Sequence, residues 1–126
     1  NRTNSAELVG KVGLFQDCGR DVTFASYLVR LRPKPDIDPG YMNRLLNSPR
    51  ILSIARQLAI PSLHQSNLNP TRYGRIHIAL PPHEEQVGIS EWLTERSAAF
   101  RQAVNEFRAS LIAEAVTGKI DVRSKT

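Results

Sequence analysis

The chain of 126 residues is long enough for one domain, or for one small domain with an appended helix. No apolar run approaches the roughly 18 residues that a membrane-spanning helix needs, which argues against a transmembrane segment. The polar start carries no signal-peptide pattern. The single cysteine, Cys18, excludes a disulfide framework and a thiolate metal cluster. We therefore expect a cytoplasmic protein.

The positive charge lies before His83. Eleven basic and five acidic residues precede it, a formal charge of +6, whereas six basic and seven acidic residues lie from His83 onward, a formal charge of −1. A body with this charge attracts polyanions, and nucleic acid is the first candidate. On charge alone, the alternative is a basic domain without such a ligand.

Three segments of the body are predicted to be β-strands. Residues 8–15 are apolar and β-prone, with a bend or bulge expected at their two glycines. Apolar residues alternate along 22–32, which makes this segment the clearest strand, and they alternate again along 75–80.

Two short helices are predicted between residues 36 and 59. Asp38 before Pro39 combines an N-cap residue with a first-turn proline, and Ser48 before Pro49 repeats the signal. The apolar stripes that follow each signal predict core packing rather than chemistry.

A polar segment, residues 61–73, lies between the second helix and the last predicted strand. It concentrates side chains that can hydrogen-bond to base edges and phosphates, including His64, Gln65, Ser66 and Asn67. The alternative is a turn-rich connection whose Asn and Ser side chains bond to their own backbone.

A long helix is predicted from about residue 84 to 117. Its apolar residues recur at an average spacing of 3.5, with Ser97 filling one gap, and this period is typical of a helix that packs against a partner helix. Gly118 suits the position just beyond the helix end. The alternative is an ordinary surface helix. The predicted interface residues are Leu93, Phe100, Val104, Phe107 and Leu111.

The common motifs for catalysis and metal binding are absent from the sequence. It has no His-x-x-x-His or Cys-x-x-Cys pair, no Gly-x-Ser-x-Gly and no glycine-rich phosphate loop. We therefore expect no catalytic residue, no metal ligand and no cofactor.

Two motifs at the ends of the predicted helix resemble those of type I restriction–modification specificity subunits. They are LPPHEEQVGISEWL at 80–93 and LIAEAVTGKIDVR at 111–123. Weaker matches are SYLVRLRP at 26–33, NSP at 47–49 and QSNLN at 65–69.

The resemblance implies an α+β fold in which residues 1–82 form a partial DNA target recognition domain and residues 83–126 form a spacer helix. The body is shorter than the roughly 100–150 residues of an ordinary domain, which is why we expect it to be partial. The implied partners are double-stranded DNA, the modification (methyltransferase) and restriction subunits, and a second recognition domain or a second copy paired through the helix. The alternative is an assembly module whose body does not bind DNA alone.

The chemistry of the side chains and their position in the chain then predict which residues contact DNA. Arginine and lysine are expected to contact phosphates, whereas the polar side chains are expected to meet base edges. The predicted set is Arg30, Arg32, Lys34, His64, Gln65, Ser66, Asn67, Arg72 and Arg75.

Overall fold

The computed structural model describes residues 3–62 and 65–119. Three short strands are present: β1 (Thr3–Asn4), β2 (Ile60–Ser62) and β3 (Gln65–Asn67). The helices are α1 (Pro39–Leu46), α2 (Pro49–Leu58), α3 (Pro70–Tyr73) and α4 (His83–Val116). The predicted α+β class is confirmed.

The local helix signals were correct. The Asp38 carboxylate caps α1 by accepting a hydrogen bond from the Tyr41 N–H at 2.6 Å. Ser48 is the N-cap residue of α2, but its side chain makes no capping bond. The long helix begins at His83 and ends at Val116, close to the predicted 84–117.

The three strands form one antiparallel sheet with β3 in the middle, between β1 and β2. Asn67 lies opposite Thr3 on one side and Ile60 on the other. The polar segment at 61–73, expected to be irregular, therefore contains the central strand and the short helix α3.

The three strands predicted at 8–15, 22–32 and 75–80 were wrong. Residues 6–10 form a turn instead, in which the N–H groups of Leu8 and Val9 both donate to the Ser5 carbonyl at 3.0 Å. The other two segments are irregular apart from a few turn residues, and within the described ranges no strand pairs with either. Alternation gives a segment a β face, but a strand also needs a hydrogen-bonding neighbour.

A small core joins the N-terminal turn to α2 and to the residue after β3. Val9 and Ala55 are fully buried and Leu68 is 4% exposed; Leu58, Ala59 and Tyr73 pack against them. Gly10 lies at the same contact with a φ of +82°, and a β-carbon there would be 2.7 Å from the Ala55 Cβ. Glycine is required at this position by both conformation and space.

The chain divides into two compact units within α4, between Ser90 and Glu91. The predicted boundary between residues 82 and 83 lies at the start of the same helix. The first unit contains the sheet, the core, α1 to α3 and the first two turns of α4. The second consists of the remainder of α4 and the residues after it.

Candidate nucleic-acid surface and helix interface

The polar residues of β3 divide between the two faces of the sheet. Gln65 and Asn67 are exposed, whereas Ser66 between them is only 8% exposed. This is the alternation that a pleated strand imposes. The structure therefore leaves two amides on an open face and gives Ser66 little surface with which to meet a ligand.

Two of the predicted phosphate-contacting arginines, Arg72 and Arg75, lie in α3 and just after it. Asn69 caps α3, because its side-chain oxygen accepts hydrogen bonds from the N–H groups of Thr71 at 2.9 Å and Arg72 at 3.2 Å. Arg72 is exposed within this turn of helix, and Arg75 is exposed just after it. The cap fixes the backbone of Arg72 while its side chain stays in solvent.

Tyr73 lies between these arginines and packs against the core. Its hydroxyl oxygen is buried without a hydrogen-bond partner among the described residues. Burial also raises the pKa of this hydroxyl. No pattern in the sequence predicted that the Tyr73 hydroxyl would be buried.

The remaining predicted cations lie in the irregular segment that contains residues 22–34. Arg30, Arg32 and Lys34 are all exposed. The guanidinium carbon of Arg30 lies 6.0 Å from the centre of the Phe24 ring, a cation–π contact at the outer limit of the usual range. His64 lies outside the described residues.

The candidate residues thus fall into two sequence-local groups. We call Gln65, Asn67, Arg72 and Arg75 the β3–α3 surface, a name for two exposed amides on β3 and two exposed arginines on and just after α3 that are close in sequence. Arg30, Arg32 and Lys34 form the second group, on irregular chain. In the first group, strand pairing holds the backbone of Gln65 and Asn67, and the Asn69 cap holds that of Arg72.

A buried glutamine holds the start of α4, and sequence analysis missed this role. Gln86 is 1% exposed. Its Oε1 accepts a hydrogen bond from the Asp38 N–H at 3.0 Å, and its Nε2 donates to the Pro81 carbonyl at 2.8 Å and to the Asp36 carbonyl at 3.4 Å. A single side chain thereby satisfies backbone groups on both sides of the contact between α1 and α4.

Further contacts surround this glutamine. The Tyr41 hydroxyl donates to the Ala79 carbonyl at 3.1 Å. A β-carbon on Gly40 would collide with the Ser90 hydroxyl, so α1 and α4 approach closely. We call this contact, centred on Gln86, the helix joint. In the sequence, the sign of this structural role was an uncharged glutamine, four residues after Pro82, in an otherwise charged helix start.

The predicted helix interface is largely exposed. Phe100 is 71% and Phe107 64% exposed, while Val104 and Leu111 are near 40% and Leu93 is half-buried. Benzyl side chains with this much exposure on a regular helix favour burial against a partner. We call the five residues the α4 seam.

The end of α4 is closed as the sequence predicts. Gly118 has a φ of +71°. Its N–H donates to the Ala115 carbonyl at 3.2 Å, and the Lys119 N–H donates to the Glu114 carbonyl at 2.9 Å. This pair of bonds is the Schellman motif, which satisfies carbonyls that the helix leaves open.

The described residues contain no group of three or more His, Cys, Asp or Glu side chains arranged to hold a metal ion. No helix among them combines the length and apolar character needed to cross a membrane.

Comparison with curated proteins finds a similarity to a restriction-enzyme subunit. The chain is 33% identical over 93 residues to the "Putative type I restriction enzyme MjaX specificity subunit" of Methanocaldococcus jannaschii. The matched region is 73% of this chain but 22% of that protein, so the chain spans about a fifth of the relative's length. No family model matches the chain, and no solved structure matches it significantly.

Proposed function

We propose that this chain is a non-catalytic DNA-recognition part of a type I restriction–modification specificity subunit. The observation that carries the proposal is the 33% identity over 73% of the chain to a protein described as such a subunit. The resemblance of the two helix-end motifs, at 80–93 and 111–123, points to the same family.

The charge distribution supports DNA as the ligand. The formal +6 of the residues before His83 is the sign that a phosphate backbone requires. Arg72 and Arg75 on the β3–α3 surface, and Arg30, Arg32 and Lys34 on the irregular segment, would neutralise phosphates and position the body on the duplex.

The exposed amides of the β3–α3 surface would supply sequence recognition. The side chains of Gln65 and Asn67 each offer a donor and an acceptor, which matches the N6 and N7 edge of adenine in the major groove. Phosphate contacts from the neighbouring arginines would orient these amides without adding sequence information of their own.

The long helix would serve spacing and assembly. Its 34 residues span about 50 Å at 1.5 Å per residue. Pairing of the α4 seam with the helix of a second recognition domain would hold two bodies a fixed distance apart. The target would then consist of two half-sites at constant spacing, and modification and restriction subunits would act on the DNA so positioned.

Salt dependence of DNA binding tests this proposal. Binding to a labelled duplex of random sequence should weaken about 10-fold or more as salt rises from about 50 to 200 mM, because each phosphate contact releases counterions. Absence of binding at the lower salt concentration would reject DNA recognition by this chain.

An assembly module is the second candidate, and the exposed Phe100 and Phe107 favour it. In that case the chain would recruit a partner helix through the α4 seam without affinity for DNA. Phe100→Asp with Phe107→Asp should abolish partner association under both proposals. DNA binding by the same variant distinguishes them: it persists if the body recognises DNA and is absent from variant and wild type alike if assembly is the sole function.

A further inference from the structure

The charged residues of α4 are segregated around the seam. If Phe100 and Phe107 occupy heptad position d, then Ser97, Val104 and Leu111 occupy position a. The flanking positions e and g between Leu93 and Leu111 are then Thr94, Arg96, Arg101, Ala103, Arg108 and Ser110. Every charge on these flanks is therefore positive.

The acidic residues of the same stretch lie away from the seam. Glu91, Glu95 and Glu106 occupy positions b, f and c, which face away from the α4 seam. Nor do the glutamates neutralise the arginines along the helix, because none of the three arginines has an acid three or four residues away. The net charge of the C-terminal segment is close to zero, so net charge alone does not reveal that these arginines and glutamates lie on different sides of the helix.

The side chains are placed to meet a partner. Arg101 and Arg108 are exposed on the same helical flank, two turns apart. Arg96 is exposed on the other flank, and its guanidinium carbon lies 5.5 Å from the centre of the Trp92 ring. A helix packed on the seam would bring its own e and g side chains next to these guanidinium groups.

We propose that the α4 seam takes a helix with acidic flanks from a different polypeptide segment, rather than a second copy of this helix. In a parallel pair of two copies, the arginine-bearing e flank of one helix would face the arginine-bearing g flank of the other. In an antiparallel pair, the two flanks that carry Arg101 and Arg108 would face each other. Aspartate or glutamate at e and g of the partner converts the same contacts to attraction. This inference rests on the assembly half of the proposed function and not on DNA recognition.

A charge-reversed copy of the chain supplies the required partner chemistry. The variant R96E/R101E/R108E keeps the seam but carries acidic flanks. Wild type and variant should each remain largely monomeric, whereas an equimolar mixture should form a heterodimer at least about tenfold more tightly than either self-pair. Native mass spectrometry measures all three species in one sample, and raising the salt concentration should reduce the preference.

Two controls keep the test decisive. Adding F100D and F107D to the charge-reversed variant should abolish the heterodimer, with helical content checked by circular dichroism. Reversing the outward acids instead, in E91K/E95K/E106K, should not create pairing with wild type.

Three results would overturn the proposal: wild-type self-pairing as tight as the mixture, no complex in the mixture, or a heterodimer that survives the loss of both phenylalanines. The assay contains no DNA, so its failure leaves the DNA-recognition proposal standing, and failure to bind DNA leaves this one standing.

Discussion

The backbone N–H of Asp38 donates a hydrogen bond to the side-chain oxygen of Gln86, 3.0 Å away and 48 residues later in the chain. Asp38 also caps α1 through its carboxylate, so one residue ties the start of α1 to the start of α4. Because the glutamine also bonds to Pro81, the helix joint fixes where α4 begins. The helix joint thus gives Pro81 and Gln86, two residues of the motif at 80–93, a structural role.

Gln86→Ala should destabilise the first unit by about 1–3 kcal/mol, because it leaves part-buried backbone groups of Asp38 and Pro81 without the partners that Gln86 supplies. Gln86→Glu retains an acceptor for the Asp38 N–H but loses the donor to the Pro81 carbonyl, so it should also destabilise. Urea unfolding measures both. Gln102→Ala, at an exposed site on the same helix, is the control and should change stability by less than about 0.5 kcal/mol.

Gly10→Ala should cost about 2–4 kcal/mol, since it combines a left-handed backbone with a collision against Ala55. Gly13→Ala is the matched control, because a β-carbon at that position meets nothing within 4 Å. Thermal unfolding of the two variants compares them directly. Equal melting temperatures would show that the N-terminal turn does not pack on α2 as described.

Tyr73→Phe should stabilise the protein by about 1 kcal/mol, because it removes a buried hydroxyl that has no partner among the described residues. Tyr27→Phe, at an exposed site, should have little effect. If Tyr73→Phe destabilises by a similar amount, the hydroxyl has a partner in solution.

The same hydroxyl predicts a dependence on alkaline pH. Burial raises its pKa in the folded state, so the unfolded chain loses this proton first as pH rises. The contribution of the neutral hydroxyl to folding stability is fully present below the ordinary tyrosine pKa. It is lost as pH rises towards the raised pKa of the folded state. Wild type should therefore lose more stability in this range than Tyr73→Phe, measured by urea unfolding at several pH values.

Removal of both Arg72 and Arg75 side chains should weaken DNA binding about equally for all sequences. The slope of log affinity against log salt should fall in magnitude by about two, because each arginine would neutralise one phosphate. Arg50→Ala is the control, because Arg50 is exposed at the start of α2 and lies outside the proposed surface. An unchanged slope in the double variant, or an equal change per residue in the control, would remove the β3–α3 surface from the proposal.

Local sequence signals predicted the helix ends well, because a helix end is determined by residues that are close together in the chain. Asp38 with Pro39, Ser48 with Pro49 and the pattern ending at Gly118 each placed a helix end within a few residues. The strand predicted at 22–32 failed because its residues have the right alternation but no neighbouring strand in the described part of the chain.

The details of the candidate site depend on tertiary contacts and register. Burial of Ser66 between exposed Gln65 and Asn67 depends on which face of β3 is covered in the fold, which composition cannot reveal. The role of Gln86 likewise depends on α1 lying against α4. The charge pattern around the seam, in contrast, was present in the sequence and needed only the heptad assignment to become visible.

Selection of bound duplexes from a randomised DNA pool tests sequence recognition most directly. Wild type should enrich a defined short sequence, and Gln65→Ala with Asn67→Ala should relax the preference at one or two positions, at a cost of about 1–3 kcal/mol for each base contact. Gln57→Ala, at an exposed site on α2, should enrich the wild-type sequence. A pool that stays random after selection with wild type, at a salt concentration where binding is measurable, would contradict DNA sequence recognition by this chain.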